Sequence, residues 1–99
     1  MPPRRLVVYI LTTRRNTALY VVVTNNLSRR MAEHRDSRGG RGSRFCRRYA
    51  VTKLVYMESI EGPRAAIARE KQLKAGSRGR KVALIDRCNP GWLELWPEP

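Results

Sequence analysis

The sequence predicts an α+β domain, and three observations carry that prediction. Ninety-nine residues suffice for one hydrophobic core and are too few for two. Three short runs rich in β-branched and aromatic residues, Leu6 to Leu11, Ala18 to Val23 and Val51 to Met57, have the composition of strands. The segments after the second and third runs carry helix start and stop signals instead. The expected organisation is a single domain over residues 1–99 with a flexible basic loop at 35–48.

Leu6 to Leu11 is apolar on both alternating faces, which fits a strand covered on two sides, and Tyr9 is its one polar-tipped residue. Thr13-Arg14-Arg15-Asn16 is short and polar, so the first two strands read as a hairpin. A turn symmetric about Arg14 and Arg15 sets Tyr9 directly opposite Tyr20 and brings two phenols to one spot on one face. Asn25 and Asn26 are good N-cap residues for a helix of about ten residues on which Leu27 and Met31 share a stripe. At about 100° per residue, Arg30 and His34 fall on the border of that stripe, toward the sheet margin, and Arg29 points nearly the opposite way.

Residues 35–48 hold six arginines, three glycines and one acid, Asp36, a mixture that cannot bury a core of its own. Such a loop is either a solvated connection or a grip on a polyanion; Phe45 and Tyr49 beside it are either stacking surfaces for nucleic acid or its apolar anchors. Gly62-Pro63 opens a second helix with proline in the first turn. Ala66, Ile67, Glu70 and Leu73 form one stripe along it, so a carboxylate sits on the core-facing side, where it is costly without a cation or donors. Two readings of Glu70 are open, a structural ion pair with an arginine and a metal ligand. Gly76-Ser77-Arg78-Gly79 breaks the helix, and Lys81 to Arg87 makes a shorter one stopped by Asn89-Pro90-Gly91. Trp92, Leu93, Leu95 and Trp96 are expected to fold back on the core as a closing apolar patch.

Twenty-one Lys and Arg against eight Asp and Glu give a formal charge of +13. That field exceeds what solubility requires and points to a polyanion partner, nucleic acid first and an acidic membrane surface second. The apolar runs are too short to span a bilayer, and the N-terminus lacks the apolar core of a secretory signal. Cys46 and Cys88 lie far apart, with no CxxC and one histidine, so neither a zinc site nor a disulfide framework is indicated. Two free thiols in a reducing cytosol are expected. Taken singly, Tyr9 and Tyr20 also read as core tyrosines with satisfied hydroxyls, Arg30 as a phosphate or carboxylate partner without catalytic meaning, and His34 as a satisfied polar residue.

The order Val7-Val8-Tyr9, then Leu19-Tyr20-Val21-Val22-Val23-Thr24, then Asn26-Leu27 with Arg30 and His34, resembles the GIY-YIG nuclease superfamily. Ala65-Ala66-Ile67-Ala68-Arg69-Glu70-Lys71-Gln72-Leu73-Lys74, with Asn89-Pro90 before Trp92, is similar to the small stand-alone bacterial members, and the likeness runs from about residue 6 to 96. It implies a three-stranded antiparallel sheet flanked by helices, and phosphodiester cleavage with one divalent metal. Tyr9 matches the tyrosine of the first motif and Tyr20 that of the second. One of them, in the favoured family scheme the first, helps to remove a proton from the attacking water. A phenol of pKa about 10 does this at neutral pH only where a cation stabilises phenolate. Arg30 matches the family arginine, whose planar fork suits phosphate charge. His34 matches a histidine that contacts the phosphate or the tyrosine network. Glu70 matches the acidic metal ligand, with Mg²⁺ expected and Mn²⁺ able to replace it.

The function that the resemblance implies is a Mg²⁺-dependent DNA endonuclease, acting on branched, flapped or damaged DNA in repair or recombination. Arg35, Arg38, Arg41, Arg44, Arg47 and Arg48 would grip the backbone. The second motif normally ends in glycine, where this chain has Val22. The alternative is therefore a catalytically impaired nucleic-acid-binding protein on a nuclease scaffold, with Val22 crowding the scissile phosphate. A general RNA-binding role stands third, since no RRM or KH motif is present.

Overall fold

The computed structural model describes residues 5–35 and 51–96, with only the backbone of His34 and Arg35. The elements run β1 (Arg5–Thr12), β2 (Leu19–Thr24), α1 (Leu27–Arg35), β3 (Lys53–Glu61), α2 (Pro63–Ala75) and α3 (Arg78–Cys88). The strands form one antiparallel sheet in the order β2-β1-β3, the α+β architecture that the sequence predicts. β1 is central, and Val8, Tyr9, Ile10, Leu11 and Thr12 have no exposed surface, as two-sided coverage of that strand requires. On one face Tyr9, Leu11, Val22 and Leu54 pack under Met31 of α1. On the other, Val8, Ile10, Val21 and Tyr56 pack against Ala66 and Leu73 of α2 and Ile85 of α3.

The hairpin register differs from expectation. Tyr9 faces Val22, and Tyr20 faces Leu11. The turn is centred one residue later than Arg14 and Arg15, because Asn16 takes a left-handed conformation with φ 58°. Threonines close it: Thr13 Oγ1 lies 2.7 Å from Thr17 Oγ1 and accepts the Thr17 N–H at 2.9 Å, and Thr12 Oγ1 donates to the Ala18 carbonyl at 2.6 Å. Each partner shifts by two residues, and since strand side chains alternate with period two, the faces are preserved. Tyr9 and Tyr20 still share a face, as diagonal neighbours.

Asn26 caps α1, its Oδ1 accepting the Arg29 N–H at 3.1 Å, while Thr24 Oγ1 accepts the Asn26 N–H at 3.0 Å. β3 extends four residues past the expected end at Met57. Its polar tail stays in the sheet because Glu58, Ser59, Ile60 and Glu61 pair with Val8, Val7, Leu6 and Arg5. A bulge opposite Ile10 and Leu11 inserts Val55, which turns Leu54 toward α1 and Tyr56 toward α2. Gly62, at φ 91°, makes the entry to α2, a conformation that L side chains rarely adopt. α3 begins at Arg78 and not Lys81, because Ser77 accepts the Arg80 N–H at 3.2 Å and Gly79 is absorbed into the first turn. Arg78 ties this end to the hairpin, donating to the Asn16 and Thr17 carbonyls at 3.0 and 3.2 Å.

The C-terminal segment does not form one patch. Trp92 packs with the α2 and α3 cluster, Leu95 and Trp96 pack with the α1 cluster, and Leu93 is 67% exposed. The chain thus crosses the β3 edge, where the Leu95 N–H donates to the Leu54 carbonyl at 2.8 Å and Glu94 Oε2 accepts the Leu54 N–H at 2.6 Å. Capping that edge satisfies groups that would otherwise template pairing with another strand. Cys88 is an exposed free thiol, and Cys46 lies outside the described residues. Among the described residues no helix is long and apolar enough to cross a membrane.

Asn89 pins the crossing. Its buried amide donates to the Val55 carbonyl at 3.0 Å and the Leu93 carbonyl at 2.9 Å, and its Oδ1 accepts the Leu93 N–H at 3.0 Å. Asn89→Ala should lower the unfolding free energy by about 2–3 kcal/mol, since it strands buried backbone groups. Urea unfolding checks this, and a loss below about 0.5 kcal/mol would show that the Asn89 bonds do not anchor the segment.

Candidate active site

Tyr9 and Arg30 meet on the α1 face of the sheet. Tyr9 projects from the central strand and has no exposed surface, so its hydroxyl needs a partner inside the protein. Arg30 comes up beside that phenol: the helix begins at a fixed point, the Asn26 cap, and one turn later the guanidinium is near enough for Tyr9 to favour its charged form. Arg30 is 26% exposed and also donates to Glu33 Oε2 at 2.8 Å. Burial works against its charge, but the bonds and attraction to Glu33 and Tyr9 outweigh that and leave its pKa above the usual arginine value. Arg29 lies 3.7 Å from Glu33 and is mostly exposed, on the outward side expected for it.

Tyr20 stands on the edge strand β2, half-buried, on the same face as Tyr9. Val22, the residue at the second-motif glycine position, pairs directly with Tyr9 and is buried beside it. His34 falls in the last turn of α1, with its side chain outside the described set, and the same holds for Arg35. Arg38, Arg41, Arg44, Arg47 and Arg48 lie outside the described residues.

Glu70 stands on α2, the helix that covers the opposite face. Ala66 and Leu73 of the expected stripe are buried, Ile67 is 44% exposed, and the Glu70 side chain lies between these extremes at 17%. Its described partner is Lys74 at 3.6 Å, an exposed lysine one turn on. A pair of that kind is worth about 0.3–0.5 kcal/mol, too little to explain a carboxylate on the inner side of a helix. Among the described residues no three His, Cys, Asp or Glu side chains group closely enough to enclose an ion. A lone, partly sequestered carboxylate does fit Mg²⁺, which keeps several waters and takes its other ligands from phosphate. Glu70 is the residue that would hold it.

Two acids that the sequence pattern does not single out hold the arginines of the helices. Glu33 was legible from helical spacing, three residues from Arg30 and four from Arg29. Glu58 was not, because its partner is eleven residues away on another element. Arg69 Nε donates to Glu58 Oε1 at 2.6 Å, its Nη2 reaches Oε2 at 3.4 Å, and Tyr56 donates its hydroxyl to the same carboxylate. Arg69 Nη1 also donates to Gln72 Oε1 at 2.8 Å. This cluster fixes the rotation of α2 on β3. Glu70, about 100° further round the helix, is thereby turned away from β3.

Residues 5–82 match the profile of the GIY-YIG catalytic domain, and the chain belongs to that family. Its relatives include a UPF0213 protein of Natronomonas pharaonis, 36% identical over 78 residues that cover 79% of this chain and 87% of the relative. A UPF0213 protein of Clostridium perfringens is 38% identical over 78 residues, 79% of this chain and 80% of the other. One from Bacillus licheniformis is 33% identical over 89 residues, covering 90% and 88%. No solved structure gives a significant match.

The Glu58 cluster has a pH signature. Burial raises the Glu58 pKa, but the hydrogen bond and charge of Arg69 and the hydrogen bond from Tyr56 lower it overall, below the ordinary 4.5. A depressed carboxyl contributes stability that is complete above the unfolded pKa and lost as pH falls through the folded one. Burial, then the bond to Glu58 and its charge, push Tyr56 up to about 12, so its contribution is complete below the ordinary 10.0 and lost on climbing from there toward 12. Glu58→Gln should therefore destabilise the fold at neutral pH and flatten the acid limb of the stability curve below the ordinary carboxyl pKa of 4.5. Urea midpoints across that range read this out; an acid limb unchanged by the substitution would contradict it.

Proposed function

We propose that this chain is a metal-dependent endonuclease that hydrolyses DNA phosphodiester bonds and selects its target by structure, as on branched or damaged DNA in repair or recombination. The observation that supports it most is the contact between Arg30 and Tyr9 on the face that also carries Tyr20. A cation beside two phenols on one face is the kind of residue set that the resemblance to the family implies.

The work then divides by exposure. A proton acceptor for the attacking water must meet water, and of the two phenols Tyr20 is the one with accessible surface. We assign Tyr20 to the water and Tyr9, beside Arg30, to favouring the charged guanidinium. This reverses the favoured family scheme for a physical reason, the complete burial of Tyr9. As the water oxygen bonds to phosphorus and the bond to the leaving sugar oxygen breaks, negative charge grows on the phosphate oxygens. The Arg30 fork donates to them, and Glu33 keeps that fork oriented. Glu70 stands on the helix of the opposite face, so a Mg²⁺ or Mn²⁺ held there would supply neutralisation of phosphate and leaving-group charge to a strand that reaches it round the sheet edge. The arginines of residues 35–48 would hold the flanking backbone.

A second reading rests on Val22, whose side chain packs against Tyr9 where the family has glycine. On it the chain binds nucleic acid without cutting. Val22→Ala tests this better than Val22→Gly, because deleting the whole buried side chain and loosening the strand would cost stability as well.

The deciding comparison is Glu70→Ala with Tyr20→Phe, each assayed for cleavage and for DNA binding. Both should lose at least about a hundredfold in metal-dependent cleavage, the contribution usual for such groups, with binding changed less than about threefold. Cleavage that survives Glu70→Ala overturns the metal assignment. Cleavage that survives Tyr20→Phe but not Tyr9→Phe reverses the tyrosine roles.

A further inference from the structure

A groove runs between the C-terminal half of α2 and the first turns of α3, on the side of α2 away from Glu70. It encloses about 190 Å³, with Leu73 and Leu84 along its floor and Arg69, Gln72, Arg80 and Lys81 around it. That is the space of about six water molecules, enough for one hydrated phosphodiester and too little for a base pair.

The donors around it are arranged unequally. Arg69 is held in place by three donors on Glu58 and Gln72, and it acts as a fixed wall. Because Gln72 Oε1 accepts from Arg69, its amide nitrogen is left as a donor. Lys81 Nζ donates to the Gly76 carbonyl at 2.6 Å, which anchors the ammonium at the groove and leaves it two further protons. Arg80 has no acid within ion-pair distance among the described residues. The local balance is one-sided: residues 63–88 carry eight Lys and Arg against Glu70 and Asp86. Neither acid compensates the groove. Glu70 is turned away from Arg69 and paired with Lys74, and Asp86 accepts the Trp92 indole N–H at 2.7 Å.

We propose that this groove is a second phosphate-binding site, in which Arg80, Lys81 and Gln72 hold the backbone of a nucleic acid apart from the cutting face. Arg80 supplies the fork, Lys81 an anchored charge, and Gln72 a neutral donor. The contact is with the backbone, so it positions the strand without reading sequence. The inference rests on the nucleic-acid part of the function proposed above and not on cleavage: a chain that binds through the groove and never cuts leaves it intact.

The test is equilibrium binding of the whole chain to a fluorescently labelled mixed-sequence DNA, single-stranded and duplex, in EDTA across a salt series. Arg80→Gln with Lys81→Gln is compared with Arg64→Gln with Lys71→Gln, an equal loss of charge on α2 outside the groove. Arg80→Gln alone is the variant that breaks no described contact. The groove pair should weaken binding by about three- to tenfold and reduce the slope of log affinity against log salt by about one to two. The control pair should reduce the slope by less than half as much. Equal effects of the two pairs would mean a diffuse field and would overturn the site, as would an unchanged slope in the groove variants. Loss of polyglutamate binding with DNA binding intact would make the groove an acidic-protein surface and overturn it equally.

Discussion

The constraint on which the rest of the structure depends is that β1 runs through the middle of the sheet with both faces covered. Its alternating side chains then have only interior destinations. The even-numbered ones build the core beneath α2 and α3, and the odd-numbered ones the core beneath α1. A tyrosine at position 9 is therefore committed to a buried hydroxyl, and a buried hydroxyl demands a partner. Arg30 stands beside that phenol, so a requirement of folding and a feature of the site fall at the same place. Val22 follows from the same constraint, because the residue opposite Tyr9 lies in the core, where an isopropyl group fills space that glycine would leave open.

The second helix layer is held by a different device. Glu58 is a carboxylate on the inner face of a strand, tolerable because Arg69 and Tyr56 satisfy it. The same arginine sets how α2 is rolled on the sheet, and adjacent residues on a helix point in different directions by geometry alone. Arg69 is directed to β3 and the groove beside it, Glu70 the other way. One ion pair thus separates a structural flank of α2 from the flank that carries the candidate metal ligand, and beside the structural flank Arg80 and Lys81 have no acid partner among the described residues.

Much of this was legible in the sequence, and the misses have physical causes. Strand and helix types followed from apolar spacing and from Asn26, Pro63 and Gly62, whose backbone preferences are local. The hairpin register did not follow, since it turned on Asn16 adopting a left-handed conformation and on threonine bonds that no periodicity reports. β3 runs past its expected end because Glu58, Ser59 and Glu61, polar in sequence, are kept in the sheet by pairing with β1 and by a cation from α2. α3 starts ahead of its expected position because the Ser77 cap overrides the break that Gly79 suggests. Of the site, faces were readable and contacts were not: helical spacing put Arg30 at the sheet margin, but only the folded chain joins it to Tyr9, or Arg69 to Glu58.

The most direct measurement is cleavage by the purified chain of supercoiled, single-stranded and branched DNA in Mg²⁺, in Mn²⁺ and in EDTA. Nicking or cutting in either metal, strongest on the branched substrate and absent in EDTA, is the result that the proposed chemistry of Tyr20, Arg30 and Glu70 predicts. A folded protein that binds all three DNAs and cuts none of them in either metal would contradict it, and would leave Val22 against Tyr9 as the feature to explain.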